Sequence, residues 1–137
     1  MEKLNKDQNR WNDSNEYDYI MFGIVSKIKE QLKDDNFYLI GIHSDDKDKE
    51  TQRHEIAHGL FWTNTEYRMK MTTLVHALPI KVKKHLKRIL QKRGYCKNVF
   101  IDEIHAYMST GLIGAMNKKL LNKYRKPFKE VLKEYYK

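Results

Sequence analysis

The chain has 137 residues, enough for one domain with a substantial hydrophobic core and with little room for a second. A hydrophobic share of 40% and an aromatic share of 12% exclude a disordered composition. The single cysteine, Cys96, excludes an internal disulfide and a thiolate metal cage, so any metal must be bound by histidines and carboxylates. Because the first residues lack the apolar core of a secretory signal and no apolar run reaches about 18 residues, we expect a cytoplasmic protein without a membrane span.

Hydrophobic periodicity predicts a mainly helical chain with one clear strand. Residues 14–33 form an amphipathic helix, because apolar side chains recur every four positions at Ile20, Ile24, Ile28 and Leu32. Residues 37–43, "FYLIGIH", are short, apolar and bounded by turn residues, which predicts a buried strand. Since a lone strand is unstable, we expect "NVFI" at residues 98–101 to pair with it.

The remaining elements are predicted to be helices. One runs from about residue 51 to residue 62, and the next begins at the capping pattern Thr63-x-x-Glu66. Pro79 can open another helix, which Gly94 can end. The predicted fold class is therefore α+β, mainly helical, in a single domain of residues 1–137. It comprises a core at 37–110, an N-terminal helix at 14–33 and basic C-terminal helices at 112–136.

Positive charge is concentrated in the middle of the chain. The net charge is +9, and between Met69 and Ile101 there are nine Lys or Arg residues and no acidic residue. A second basic block follows in "NKKLLNKYRKPFK". Such stretches can bind nucleic acid or an anionic membrane. Because no nucleic-acid motif accompanies them, we interpret them as solvated helix faces, and nucleic acid is the less favoured partner.

The stretch "RHEIAHGLFW" at residues 53–62 has the order His-Glu-x-x-His. On a helix, His54 and His58 lie one turn apart on one face, with room for an ion between their rings. Two neutral imidazoles suit zinc, and Glu55 lies beside that face, where a carboxylate that is not a ligand can act as a base. Two exposed histidines with a salt-bridged glutamate would give the same pattern.

A catalytic zinc needs a third protein ligand, and Glu103 is the best candidate. Asp102 and Glu103 open an otherwise apolar helix in "FIDEIHAYMSTG", far enough after His58 for the chain to return across the histidines. The helix dipole explains an acid in a first turn equally well, and that explanation is stronger for Asp102 than for Glu103. His105 is expected to point away from the Glu103 face, at the surface or behind the ligands.

HEIAH on a helix, preceded by a strand and followed by a glutamate on a later helix, resembles the gluzincin branch of the zincin metallopeptidases. The resemblance covers residues 37–110. It implies a zinc cofactor, a peptide or protein substrate, the ligands His54, His58 and Glu103, the general base Glu55, and a strand at 37–43 lining the cleft. Many gluzincins carry an acid one turn beyond the ligand glutamate to orient a histidine, whereas this chain has Tyr107 there.

Tyr107 has two interpretations. One turn beyond Glu103, its hydroxyl could donate to the oxyanion formed during hydrolysis, or the ring could be a packed core aromatic. The whole chain likewise has alternatives to an active peptidase. It could be an inactive binding module whose basic helices bind nucleic acid or an acidic protein, or an enzyme whose C-terminal helices cover its own cleft.

Overall fold

The computed structural model describes residues 15–33, 35–42 and 48–136. The chain divides into two compact units, Met1–Phe37 and Tyr38–Lys137. Within the described residues, all regular secondary structure is helical, and none of the helices is both long enough and apolar enough to cross a membrane. The helices are numbered in chain order below.

The first unit contains helix α1, Glu16–Leu32. It begins at a capping box, in which the Asn15 side chain accepts the N–H groups of Tyr17 and Asp18 and the Asp18 carboxylate accepts the Asn15 N–H. The helix predicted for residues 14–33 is therefore confirmed over the part that is described, while Ser14 lies outside the described residues. None of the residues of α1 is buried.

The second unit contains six α-helices and two short 3-10 turns within its described residues. The α-helices are α2 (Lys49–Thr63), α3 (Thr65–Ala77), α4 (Ile80–Lys92), α5 (Phe100–Ser109), α6 (Lys118–Leu121) and α7 (Lys126–Tyr135). The 3-10 turns are Lys97–Val99 and Asn122–Tyr124. Asn64 alone joins α2 to α3, and its side chain accepts the N–H of Tyr67, so α3 starts at this cap and not at the predicted Thr63. Gly94, with φ at 88°, follows α4 as predicted.

Helix α5 is the centre of the second unit. It packs against α2, α3, α4 and α7, and eight of its ten residues are buried. Its apolar side chains join a core to which every neighbouring helix contributes, through Phe61, Met71, Leu86, Leu90 and Leu132 among others. Arg125 donates to the carbonyls of Met108 and Thr110 at 2.9 and 3.0 Å, which satisfies acceptors at the end of α5. A helix surrounded in this way holds its side chains in fixed positions.

The predicted α+β class is wrong, because the described part of the chain contains no strand. Residues 37–42 are irregular, and Tyr38, Leu39 and Ile42 are each at least 40% exposed; His43 lies outside the described residues. The expected partner at 98–101 instead forms the end of a 3-10 turn and the start of α5, because Phe100 is buried in the helical core. A short apolar run does not reveal by itself whether a second strand is available to pair with it.

Helix α7 belongs to the core of the second unit. Phe128 and Leu132 are almost fully buried, and α7 packs against α3 and α5. Pro127 lies in the first turn of α7, where a missing N–H costs nothing, so it starts this helix and does not break a longer one.

We therefore predict that Phe128→Ala destabilises the second unit by about 3–5 kcal/mol, because it leaves a cavity against α3 and α5. Urea denaturation followed by circular dichroism measures the loss. The exposed neighbour Glu130→Ala is the matched control and should change the free energy of unfolding by less than about 0.5 kcal/mol. A loss below about 1 kcal/mol for Phe128→Ala would mean that α7 is peripheral.

Candidate metal centre

Helix α2 presents His54 and His58 to α5. The Asp48 carboxylate caps α2 by accepting the Glu50 N–H at 2.9 Å. From this start, the two histidines fall one turn apart on the side that faces α5. His58 is buried and His54 is half-buried. Their Nε2 atoms are 3.1 Å apart.

Glu103, in the first turn of α5, completes a group of three potential metal ligands. Its Oε1 atom lies 3.8 Å from His58 Nε2, and one ligand atom from each of His54, His58 and Glu103 falls within 4.8 Å of the others. The structure thus brings together the three residues that the sequence predicts as ligands. They come from two helices, and His58 and Glu103 are 45 residues apart in the chain.

The His58 ring is held from behind by Asp102. Asp102 Oδ1 accepts a hydrogen bond from His58 Nδ1 at 2.7 Å, and Oδ2 accepts one from the Trp62 indole Nε1 at 2.8 Å. Burial lowers the pKa of His58, but the hydrogen bond and the negative charge of Asp102, with Glu103 and Glu55 behind it, raise that pKa above its usual value overall. A carboxylate behind a ligand histidine is the usual way in which proteins orient the ring and increase its basicity.

The His54 ring is held by Thr110. The Thr110 hydroxyl donates to the Ala106 carbonyl at 2.7 Å, so its oxygen is free to accept the N–H of His54 Nδ1 at 3.1 Å. Burial, and then the nearby His58, lower the pKa of His54 to about 4, so the ring is neutral at neutral pH. With its proton on Nδ1, His54 has a lone pair on Nε2.

These two anchors leave both Nε2 atoms facing each other with lone pairs. Each ring, when neutral, carries its proton on the Nδ1 that donates to its anchor. Two lone pairs at 3.1 Å repel each other unless a cation lies between them. A proton on His58 would relieve the contact between the histidines and would place a positive charge 3.8 Å from Glu103 Oε1, but Glu103 Oε2 would still lack a hydrogen-bond partner among the described residues. A metal ion would engage all three groups.

The surroundings of Glu103 favour a bound metal ion over a proton shared between the two histidines. Its side chain is 12% exposed, and its Oε2 atom is buried without a hydrogen-bond partner among the described residues. Burial raises the pKa of Glu103, because the charged carboxylate lacks sufficient compensation. Bonds of about 2.0–2.1 Å to a tetrahedral zinc place neighbouring ligand atoms roughly 3.3 Å apart. The observed separations of 3.1 and 3.8 Å lie on either side of that value, and all three ligand atoms fall within 4.8 Å of one another, so the residues could hold a metal ion of this size.

Glu55 lies beside the three potential ligands without being one of them. It is half-buried, and its negative charge acts on His58, Glu103 and Tyr38. No ion pair with another described residue engages Glu55. Its carboxylate is therefore available to a molecule bound next to the ligands.

Tyr107 packs directly on His54. The ring centroids are 4.6 Å apart, and Tyr107 is 7% exposed. Burial raises the pKa of Tyr107, and the adjacent Tyr95 hydroxyl adds to this, so the phenol stays protonated at neutral pH. Tyr107 also borders a cleft of about 260 Å³ that is lined by Asp48, Glu50, Thr51, His54, Tyr107, Thr110, Gly111, Leu112 and Ile113. Both of its predicted roles, core aromatic and hydroxyl donor, are compatible with this position.

His105 lies behind the candidate centre and not at the surface. It is fully buried, its ring stacks on Phe61 with centroids 4.6 Å apart, and its Nε2 donates to the Ala57 carbonyl at 3.2 Å. Burial lowers its pKa to about 4, so the ring is neutral. His105 thus ties α5 to α2 directly beneath the ligand residues.

No family model, curated protein or solved structure matches this chain. The case for the candidate centre therefore rests on its geometry alone. Sequence reasoning missed the anchoring residues Asp102, Trp62 and Thr110. Of these, only Asp102 could have been found from the sequence. It precedes the predicted ligand Glu103 in the first turn of the same helix, so its carboxylate can contact His58 as well as interact with the helix dipole.

We predict that the reconstituted protein binds about one zinc ion per chain and that His54→Ala loses it. Glu103→Ala should weaken zinc binding more than Asp102→Ala, because it removes a ligand and not an anchor. Asp102→Ala should still cost roughly 10–100-fold in affinity, since it releases the His58 ring. Competition with a chromophoric chelator measures each affinity.

The surface variant Glu66→Ala is the control for these measurements. Glu66 forms an exposed ion pair with Lys70 at 3.1 Å, so its removal should leave zinc affinity unchanged. Equal zinc affinity in Glu103→Ala and the wild type would show that the third ligand lies elsewhere. If the wild-type protein contains no stoichiometric zinc after careful reconstitution, the proposed zinc centre is excluded.

Proposed function

We propose that the protein is a zinc-dependent metallopeptidase that hydrolyses peptide bonds in a peptide or protein substrate. The observation that carries this proposal is the anchored histidine pair, His54 on Thr110 and His58 on Asp102, whose Nε2 atoms face each other. Oε1 of Glu103 lies 3.8 Å from His58 Nε2, and its Oε2 has no hydrogen-bond partner among the described residues. His54, His58 and Glu103 would hold the ion.

Glu55 is the proposed general base. When bound, zinc supplies a Lewis acid that polarises the scissile carbonyl and makes a water molecule more acidic. The half-buried Glu55 carboxylate accepts the proton from the attacking water and returns it to the leaving amine. A structural metal site needs no such group, so the presence of Glu55 beside the ligands favours a catalytic role over a structural one.

The segment at residues 38–42 is the proposed wall for an extended substrate. Its first residue, Tyr38, packs on α2 at Gly59, where an added Cβ would lie 3.2 Å from the Tyr38 ring, so the small residue permits the close approach. No backbone-to-backbone hydrogen bond joins residues 38–42 to any other described residue. Their N–H and C=O groups can therefore pair with a peptide backbone, as the gluzincin resemblance implies for its cleft strand.

The inhibited-enzyme alternative requires the C-terminal helices to line the cleft beside His54. The cleft beside His54 is lined by residues between Asp48 and Ile113, and no described residue of α6 or α7 is among them. Helix α7 uses its apolar face in the core, as Phe128 and Leu132 show. The full chain is thus the form in which activity should be sought.

The experiment that tests this function is Glu55→Gln in the full zinc-loaded chain. Glutamine keeps the size and hydrogen bonding of the side chain but cannot accept a proton at neutral pH. We expect unchanged zinc content, a free energy of unfolding within about 1 kcal/mol of wild type, and cleavage slower by roughly 10²–10⁴-fold or more. Mass spectrometry of a broad peptide library incubated with each protein measures the cleavage.

Glu130→Gln provides the matched control, because it makes the same chemical change on the exposed face of α7 and should cleave as fast as wild type. Cleavage by Glu55→Gln at the wild-type rate would exclude the proposed base. If the zinc-loaded wild type cleaves no member of the library, the metal centre is structural and the binding-module alternative stands.

A further inference from the structure

Two successive regions of the sequence have opposite charge. Residues 1–66 contain nine Lys and Arg and fourteen Asp and Glu, whereas residues 67–129 contain sixteen Lys and Arg and only Asp102 and Glu103 as acids. Such segregation within a short chain is typical of proteins that bind a polyanion. The proposed peptidase chemistry gives no reason for it.

The two acids of the basic region do not neutralise its surface. Asp102 is buried and accepts hydrogen bonds from His58 and Trp62. Glu103 faces the histidine pair with its side chain only 12% exposed. Residues 67–129 therefore place no carboxylate of their own on the outer surface. Acids from other parts of the chain pair with Lys70 and Lys126, through Glu66, Glu134 and Glu130, but none pairs with a cation of α4 among the described residues.

A groove runs through this positive surface between α4 and the start of α6. It has a volume of about 530 Å³ and is lined by Ile80, Lys81, Lys84, His85, Arg88, Asn117 and Leu120. His85 Nε2 accepts the Asn117 N–H at 3.1 Å, which links the two walls. The groove shares no lining residue with the cleft beside His54.

The three cations of the groove lie along one side of α4. Lys81, Lys84 and Arg88 are spaced three and four residues apart and are exposed, while the opposite side of the helix buries Val82, Leu86, Ile89 and Leu90. None of the three has an ion-pair partner among the described residues. The row extends for roughly 10 Å at 1.5 Å per residue. Consecutive phosphates of one strand of a duplex advance about 3.4 Å along its axis, so the row spans about three such steps.

We propose that the second unit binds the phosphate backbone of nucleic acid in this groove, through Lys81, Lys84 and Arg88. A regular row of unpaired cations suits a regularly charged polymer better than the irregular carboxylates of an acidic protein. The exposed apolar surface of Ile80 and the half-buried Leu120 at the groove can contact sugars or bases. Because the groove contains mainly phosphate-binding side chains, binding should depend little on sequence.

The test measures fluorescence anisotropy of a labelled 20-nucleotide single strand and a 20-base-pair duplex, titrated with the full chain between 50 and 200 mM KCl. For the wild type we expect a Kd of roughly 10⁻⁶–10⁻⁴ M at physiological salt and a steep linear decrease of log K with log salt. Lys84→Ala/Arg88→Ala should weaken binding at least about tenfold and reduce the salt slope by roughly 1.4–1.8.

Lys129→Ala/Lys133→Ala is the matched control. It removes the same charge from exposed positions on α7, where Glu130 lies between the two lysines, and should weaken binding by less than about threefold if the groove is the site. Equal losses from both double variants would show that binding follows net charge, which overturns the groove. If a poly-glutamate peptide of similar charge binds as tightly as the single strand, the proposal of nucleic acid is wrong and an acidic protein is the better partner. Circular dichroism confirms that each variant is folded.

Discussion

The hydrogen bond between His58 and Asp102 joins the two helices on which the candidate centre is built. At 2.7 Å it links α2 to the first turn of α5, and it is buried on both sides. It also sets the orientation of the His58 ring and the position of Glu103, the next residue along α5. If α5 rotated or slid relative to α2, Glu103 would move away from the two histidines, and Asp102 would lose its hydrogen bond to His58. The precision of the centre therefore depends on how tightly α5 is packed.

The core provides that packing. Helix α5 is enclosed by four other helices, and fully buried His105 joins it to α2 through a carbonyl and an aromatic stack. The buried acids at its start would be costly if they were unpaired, because a carboxylate away from water needs hydrogen bonds or an opposite charge. Asp102 has both of its oxygens engaged, whereas Glu103 has one oxygen without a hydrogen-bond partner in the part of the chain that the structure describes. That difference favours an anchoring role for Asp102 and the proposed ligand role for Glu103.

The same arrangement separates the charges of the second unit. Its two acids between residues 67 and 129 lie inward at the candidate centre, while the cations of α4 lie outward along a groove. Lysine and arginine heads remain in water at little cost, so a helix such as α4 can carry many of them while its apolar side enters the core. The cleft beside His54 and the positive groove thus belong to one unit and share no lining residue.

Local patterns in the sequence determined the helices and the candidate ligands. The spacing of His54 and His58 needs only one helical turn, and the pairing of Asp102 with Glu103 is visible in the linear chain, so both could be predicted. The irregular state of residues 37–42 and the anchoring roles of Trp62 and Thr110 were decided by the tertiary structure. A strand requires a partner, and a hydrogen bond between distant residues requires that the helices pack at one particular position and rotation. A short stretch of sequence determines neither whether a partner strand exists nor how the helices pack against one another.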